Sequence, residues 1–229
     1  MFYIDPVYLW CVFLPTLLIS LIVQLYLRNS YSKWSKIRNS LGMTGAQVGA
    51  ALFQRTSLKP VPLRRVPGVM SDHFDPRQNV VGLSEAVSSQ PSVASMAICA
   101  HELGHVQQYQ TGSALIGMRN FLLPAVQFSP TVSYIAIFIG LLFNMAGLVW
   151  VGIFFFALMV VFSILTLPVE LNASRRAQRL LQEAGLLQNE NDAHGVKQVL
   201  NAAALTYLAA AVTSILQLLY YISLARRRT

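Results

Sequence analysis

Apolar residues gather into three long runs along this chain, at residues 7–27, 131–167 and 202–224, with polar stretches between them. A bilayer core about 30 Å thick is crossed by about 20 apolar residues of helix. The first and last runs each fit one crossing. The middle run would be about 55 Å long as a single helix, too long for one crossing. It predicts two, with the turn near Asn144-Met145-Ala146-Gly147. The expected fold is therefore mainly α, a polytopic membrane protein with about four transmembrane helices.

Asp5 precedes the first run, and Arg28, Lys33, Lys36 and Arg38 follow it. A cleaved signal peptide carries its positive charge in front. The reverse order predicts a retained membrane helix with its amino end outside and its basic end in the cytoplasm. Residues 28–90 form the polar part. A turn at residues 41–44 leads into a short helix capped near Thr44. Residues 59–67 hold three prolines and cannot be helical. Residues 69–83 read as a β-hairpin, with Val80-Val81-Gly82-Leu83 as its returning strand. Pro91 suits the first turn of a helix that runs to about Tyr109 and stops by Gly112. Residues 171–185 read as a basic surface helix, 189–192 as a turn.

This divides the chain into a first membrane helix (1–28), a catalytic region with a helix at about 92–110 (29–120), a membrane hairpin (121–169), surface helices (170–201) and a last transmembrane or re-entrant helix (202–229). If the last run crosses, Arg226, Arg227 and Arg228 lie outside, against the positive-inside tendency. The other fourteen of the seventeen basic residues remain cytoplasmic.

Composition agrees. The 229 residues are 55% hydrophobic and 11% charged, against about 25% charged in soluble domains. The formal charge of +8 fits cytoplasmic loops facing anionic headgroups. No aromatic-basic motif points to nucleic acid. Cys11 and Cys99 read as small buried hydrophobes rather than a disulfide.

The candidate chemistry lies in His101-Glu102-Leu103-Gly104-His105. Residues four apart share one helix face, so His101 and His105 can bind one metal ion. Glu102 is placed to take a proton from a metal-bound water, the pattern of a zinc peptidase. Residues 97–112 contain no proline and no charge but Glu102. A catalytic zinc ordinarily has three protein ligands. Glu170 is the leading third candidate, because a carboxylate at the end of a membrane helix needs a cation or a partner. Pairing with Arg175 or Arg176 is the simpler alternative, though the spacing is poor for a helix. Asp72, Asp75 and Glu85 could also approach the histidines. Glu190 and Asp192 read as solvated, Glu183 as a surface residue.

Beyond the motif, Asp72-His73-Phe74-Asp75-Pro76, Gln107-Gln108, Leu167-Pro168-Val169-Glu170, Ala173-Ser174-Arg175-Arg176-Ala177 and Leu200-Asn201-Ala202-Ala203-Ala204-Leu205-Thr206-Tyr207 resemble the YugP-type membrane zinc metallopeptidases over nearly the whole chain. The resemblance implies a multi-pass protein of the bacterial inner membrane. Its zincin-like site at the cytoplasmic face would hold Zn2+ through His101, His105 and Glu170, with Glu102 as the base. Broader relatives carry an Asp four residues after the ligand Glu, where this chain has Ser174, so the partners of the ligand histidines are open.

The expected function is a membrane zinc endopeptidase acting on membrane or membrane-near proteins. Tyr207, favoured by the resemblance, His73 and His194 are candidate oxyanion donors. Val80 to Leu83 could offer an open strand edge to an extended substrate, or be an ordinary hairpin strand. A non-catalytic zinc-holding scaffold is the alternative. A transporter is disfavoured, since no ionisable residue sits mid-membrane. Substrate identity and oligomeric state are not legible.

Overall fold

A computed structural model describes residues 5–227. Asp5 caps the first helical turn, α1 (Pro6–Tyr8), by accepting the Val7 amide. A π-helical turn at Leu9–Phe13 follows, then α2 (Leu14–Lys36). Pro15 accounts for the wide turn. It has no N–H to give the carbonyl four residues back, and the Leu14 amide donates to the Leu9 oxygen instead. Next come α3 (Gly45–Arg55), β1 (Leu63–Val66), β2 (His73–Asp75), β3 (Val80–Ser84), α4 (Glu85–Ser89) and α5 (Val93–Gln110). Three long helices complete the described chain, α6 (Ala114–Leu142), α7 (Ala146–Glu183) and α8 (Glu190–Arg226). Among the described residues, four helical stretches are long and apolar enough to cross a membrane: Pro6–Lys36, α6, α7 and α8. The α6–α7 turn falls where the apolar pattern placed it.

The chain divides into two compact units. The first comprises Met1–Val23, Gly117–Pro168 and Thr206–Thr229. Large apolar side chains cover its outside: Phe121 is 82% exposed, Phe128 70% and Trp10 68%. Each such ring would cost a few kcal/mol to hold in water, at about 25 cal/mol per Å², and lipid removes that cost. Inside, Ile137 of α6 packs on Val149 and Ile153 of α7 and on Ala225 of α8. Tyr220 donates to Asp5 Oδ2 at 3.1 Å, and Arg227 lies 3.6 Å from the same oxygen. Asn144 and Ala146, at the α6–α7 turn, line one small cavity with Ala225. The start of the first apolar helix, the α6–α7 turn and the end of α8 thus share one end of this unit, as an even number of crossings requires.

The second unit comprises Gln24–Ile116 and Val169–Leu205. Its core joins Trp34 of α2, Val48 and Leu52 of α3, Met96 and Leu103 of α5, Leu180 and Leu181 of α7, and Val196 and Leu200 of α8. The capping box of α3 forms as its sequence suggests, Thr44 accepting from the Gln47 amide and Gln47 from the Thr44 amide.

The hairpin is present, β2 antiparallel to β3. Asp75 Oδ1 accepts the Arg77 and Gln78 amides, and Asn79 takes the left-handed conformation before β3. The sheet has a third strand that the sequence reading left as loop. β1 pairs parallel to β3, giving the order β1-β3-β2. Val80 to Leu83 is therefore central, with partners on both sides. Of the two readings of this segment, an open edge or an ordinary strand, the open edge is the one that does not hold.

Other expectations need correction. Pro91 lies outside α5, which begins after Ser92, whose hydroxyl accepts from the Ser95 amide. Residues 171–183 are no separate surface helix but the continuation of α7. Asp192 is buried rather than solvated, and accepts from the Ser40 amide and hydroxyl. Cys11 is exposed on the apolar surface of the first unit, while Cys99 is buried; both are free. Arg228 lies outside the described residues.

Candidate metal centre

α5 is the buried helix of the second unit, and its sequence of small and apolar residues follows from that position. It ends at Gln110, and Gly112, two residues on, takes φ +61°, which lets the Ser113 amide donate to the Gln108 carbonyl. Four residues apart, His101 and His105 share one face, their ring centroids 4.8 Å apart. Glu170 reaches them from α7. Its Oε2 lies 3.3 Å from His101 Nε2 and 3.4 Å from His105 Nε2. The carboxylate is buried at 3% exposure.

Gly104 makes this approach possible. A Cβ at Gly104 would sit 2.4 Å from the carbonyl oxygen of Ala173, so only a bare backbone lets α5 and α7 lie this close. Ala100, Ala173 and Ala177 are also fully buried. Gly104→Ala should separate the helices by a fraction of an ångström at least. We expect a loss of about 1–3 kcal/mol from overpacking together with weaker zinc retention. Thermal unfolding of the metal-free and zinc-loaded protein would measure both. An unchanged melting temperature and unchanged zinc content would show that the contact is not limiting.

The donor set fits zinc. Ligand bonds of about 2.0–2.1 Å in a tetrahedron place neighbouring ligand atoms about 3.4 Å apart. The two N···O separations match that figure, and the ligand atoms of all three residues lie within 4.8 Å of one another. Two imidazoles and one carboxylate is also a catalytic rather than structural count.

Glu102, between the histidines in sequence, is 8% exposed. Burial raises its pKa; His101 and His105 pull it down, and Glu170 and Asp72 push it up again, with a net rise. For His105, burial alone would lower the pKa. Hydrogen bonding to Glu170, the charges of Glu102 and Glu170, and Gln108 outweigh that, and the net shift is upward from 6.5. A metal needs the neutral ring, so a proton held more firmly is a stronger competitor. Zinc affinity should therefore climb as pH rises through the range above 6.5. Chelator competition at about pH 6 and about pH 8 checks this; equal affinities at both would contradict it.

The other candidates fall outside this cluster. Asp72 accepts from Ser84, amide at 2.7 Å and hydroxyl at 3.1 Å. Asp75 serves its turn, and Glu85 is exposed at the start of α4. Arg176 does not pair with Glu170; it donates to Asn172 and Gln107. Burial pushes the Cys99 thiol up to about 12, which removes the thiolate a metal would require. His73 Nδ1 lies 2.8 Å from the Ser71 carbonyl. The exposed His194 sets its ring against Trp34. Tyr207 lies on α8, in the first unit.

The partners of the two histidines are now visible. Ser174 Oγ is 3.3 Å from His101 Nδ1. Gln108 Oε1 is 3.0 Å from His105 Nδ1. Sequence reasoning missed Gln108. Its signal was a glutamine three residues past His105, hence on the same helix face.

From residue 9 to residue 226 the chain matches the family described as "Putative neutral zinc metallopeptidase". The protein belongs to this zinc metallopeptidase family. A curated relative, "Putative membrane protease YugP" of Bacillus subtilis (strain 168), is 37% identical over 199 residues, which is 87% of this chain and 88% of the relative. No solved structure matches. The family implies zinc, and among the described residues His101, His105 and Glu170 form the group that could hold it.

Proposed function

We propose that the protein is an integral-membrane zinc endopeptidase that hydrolyses peptide bonds of membrane or membrane-proximal proteins. The observation that carries this reading is the closure of the Glu170 carboxylate onto two histidine Nε2 atoms at zinc-ligand spacing, with the buried Glu102 beside them. His101, His105 and Glu170 are the proposed ligands.

Zinc bound there supplies a Lewis acid that lowers the pKa of a water to about 7 and polarises a carbonyl. Glu102 does the proton work. Its carboxylate takes a proton from the attacking water and delivers it to the leaving amine. Burial makes it a stronger base than a solvated glutamate. The tetrahedral oxyanion also needs a donor; Tyr207, the one the resemblance offers, belongs to the first unit and the three ligands to the second. His73 suits the role poorly. Its Nδ1 faces a carbonyl, which can only accept, so Nδ1 carries the proton and Nε2 donates only in the charged ring.

We place the site at the cytoplasmic face of a bacterial inner membrane. Thirteen of the seventeen basic residues belong to the second unit, in accord with the positive-inside tendency. Arg227 runs against it, and Asp5 compensates that charge locally. The test is a comparison of membrane-protein fragments in cells carrying the natural chain or Glu102→Gln. Fragments that vanish in the variant are the expected result. Identical fragment sets would defeat the reading.

A further inference from the structure

Behind His105 lies a chain of hydrogen bonds whose direction is set by groups that can act in one way only. Gln108 is fully buried. Its Nε2 donates to the Val169 carbonyl at 2.8 Å and to Asn172 Oδ1 at 2.9 Å. A carbonyl can only accept, so the amide nitrogen must face Val169 and the amide oxygen must face His105. Arg176 Nε donates to the same Asn172 Oδ1 at 2.8 Å, and its Nη1 donates to Gln107 Oε1 at 3.2 Å. A guanidinium has donors and no acceptor. It holds the oxygen of Asn172, not the nitrogen, toward Gln108. Gln108 thus has both donors used and its oxygen left for one partner, the His105 Nδ1 proton.

We propose that Gln108, oriented by the Val169 carbonyl and braced through Asn172 by Arg176, is a positioning residue that engages His105 Nδ1 and so presents Nε2 to the metal. This rests on the reading of His105 as a zinc ligand. His101 has no such device. Its Nδ1 meets the Ser174 hydroxyl at 3.3 Å, which can donate or accept. The two ligand histidines therefore differ. One is held by a directed amide relay, the other by a longer, reversible contact. Partners of this kind typically change metal affinity by about 10–100-fold.

The polarity of the relay distinguishes it from simple packing. Asn172→Asp keeps an acceptor for both Gln108 and Arg176, while Asn172→Leu keeps the volume and removes the acceptor. The full chain, purified in detergent and stripped of metal, would be titrated with zinc against a chelator. Asn172→Leu and Arg176→Met should bind zinc about 10–100-fold more weakly, and Asn172→Asp within roughly threefold of the natural chain. In zinc-loaded protein labelled with 15N-histidine, the His105 Nδ1 proton should be a slowly exchanging signal, and should exchange faster in Arg176→Met. If Asn172→Leu does not fold, the Nδ1 exchange of the natural chain and the Asn172→Asp affinity still decide. A freely exchanging His105 Nδ1 proton in the natural chain, or natural affinity in both Leu and Met variants, overturns the proposal. A natural chain that binds no zinc, or a Glu170→Ala chain that binds it equally, overturns instead the ligand assignment on which it rests.

Discussion

Replacing Glu102 by glutamine should abolish peptide hydrolysis while leaving zinc in place. The substitution keeps the shape of the side chain and touches none of the proposed ligands. It removes the group that moves the proton, which contributes about 10²–10⁴-fold in rate, so turnover should fall by at least that much. A stability signature should accompany the loss. The folded-state pKa of Glu102 is raised, with burial the main cause. A folded state that holds the proton more tightly than the unfolded one loses stability as pH rises past the ordinary carboxylate range. At neutral pH the metal-free natural chain carries that cost, and the neutral amide does not. Metal-free Glu102→Gln should therefore melt at a higher temperature than the natural chain near neutrality, and the difference should shrink on acidification. Elemental zinc content, cleavage of a casein-type test protein and melting curves form one experiment. Undiminished cleavage would move the base elsewhere; loss of zinc with loss of cleavage would make Glu102 structural.

The second large effect concerns Glu170. Glu170→Ala removes the one proposed ligand that does not come from α5, and zinc should drop from about one per chain to a small fraction of that, with cleavage lost in parallel. Glu170→Asp is a sharper probe. It shortens the side chain by one methylene, and the Gly104–Ala173 contact leaves no slack for the helices to move closer. Aspartate should bind zinc weakly, between the natural chain and the alanine variant. Full occupancy in Glu170→Ala would send the search for a ligand back to Asp72, Asp75 or Glu85. The scaffold alternative separates here as well. A scaffold needs Glu170 and not Glu102, whereas a peptidase needs both.

The parts of the fold that were legible were those written in local repetition. Runs of apolar residues gave the four candidate membrane helices and the turn at Asn144, and the i, i+4 spacing put His101 and His105 on one face. Glu170 stood out because a carboxylate at the end of an apolar run demands an explanation. What escaped depends on distant pairing. β1 lies in a proline-rich stretch, and its parallel match to β3 leaves no alternation to read. The unbroken run Val80-Val81-Gly82-Leu83-Ser84, buried at every position, did hint at a central strand, since strands covered on both sides lose the polar alternation. The hydrogen bonds of Gln108 and Arg176 required knowing that α5 and α7 touch, which no pattern of spacing contains. The two cysteines show the same limit. Apolar neighbours predict a hidden side chain in water, but for Cys11 those neighbours face outward.

The division of the candidate centre between two helices bears on when it can form during synthesis. A cassette of two histidines and a glutamate on one helix emerges from the ribosome more than sixty residues before its acidic counterpart. Until Gly104 has docked against Ala173, the nascent polypeptide holds only part of its cleaving apparatus. On the proposed peptidase reading, cleaving power arrives only with completed tertiary structure, which guards against premature self-digestion.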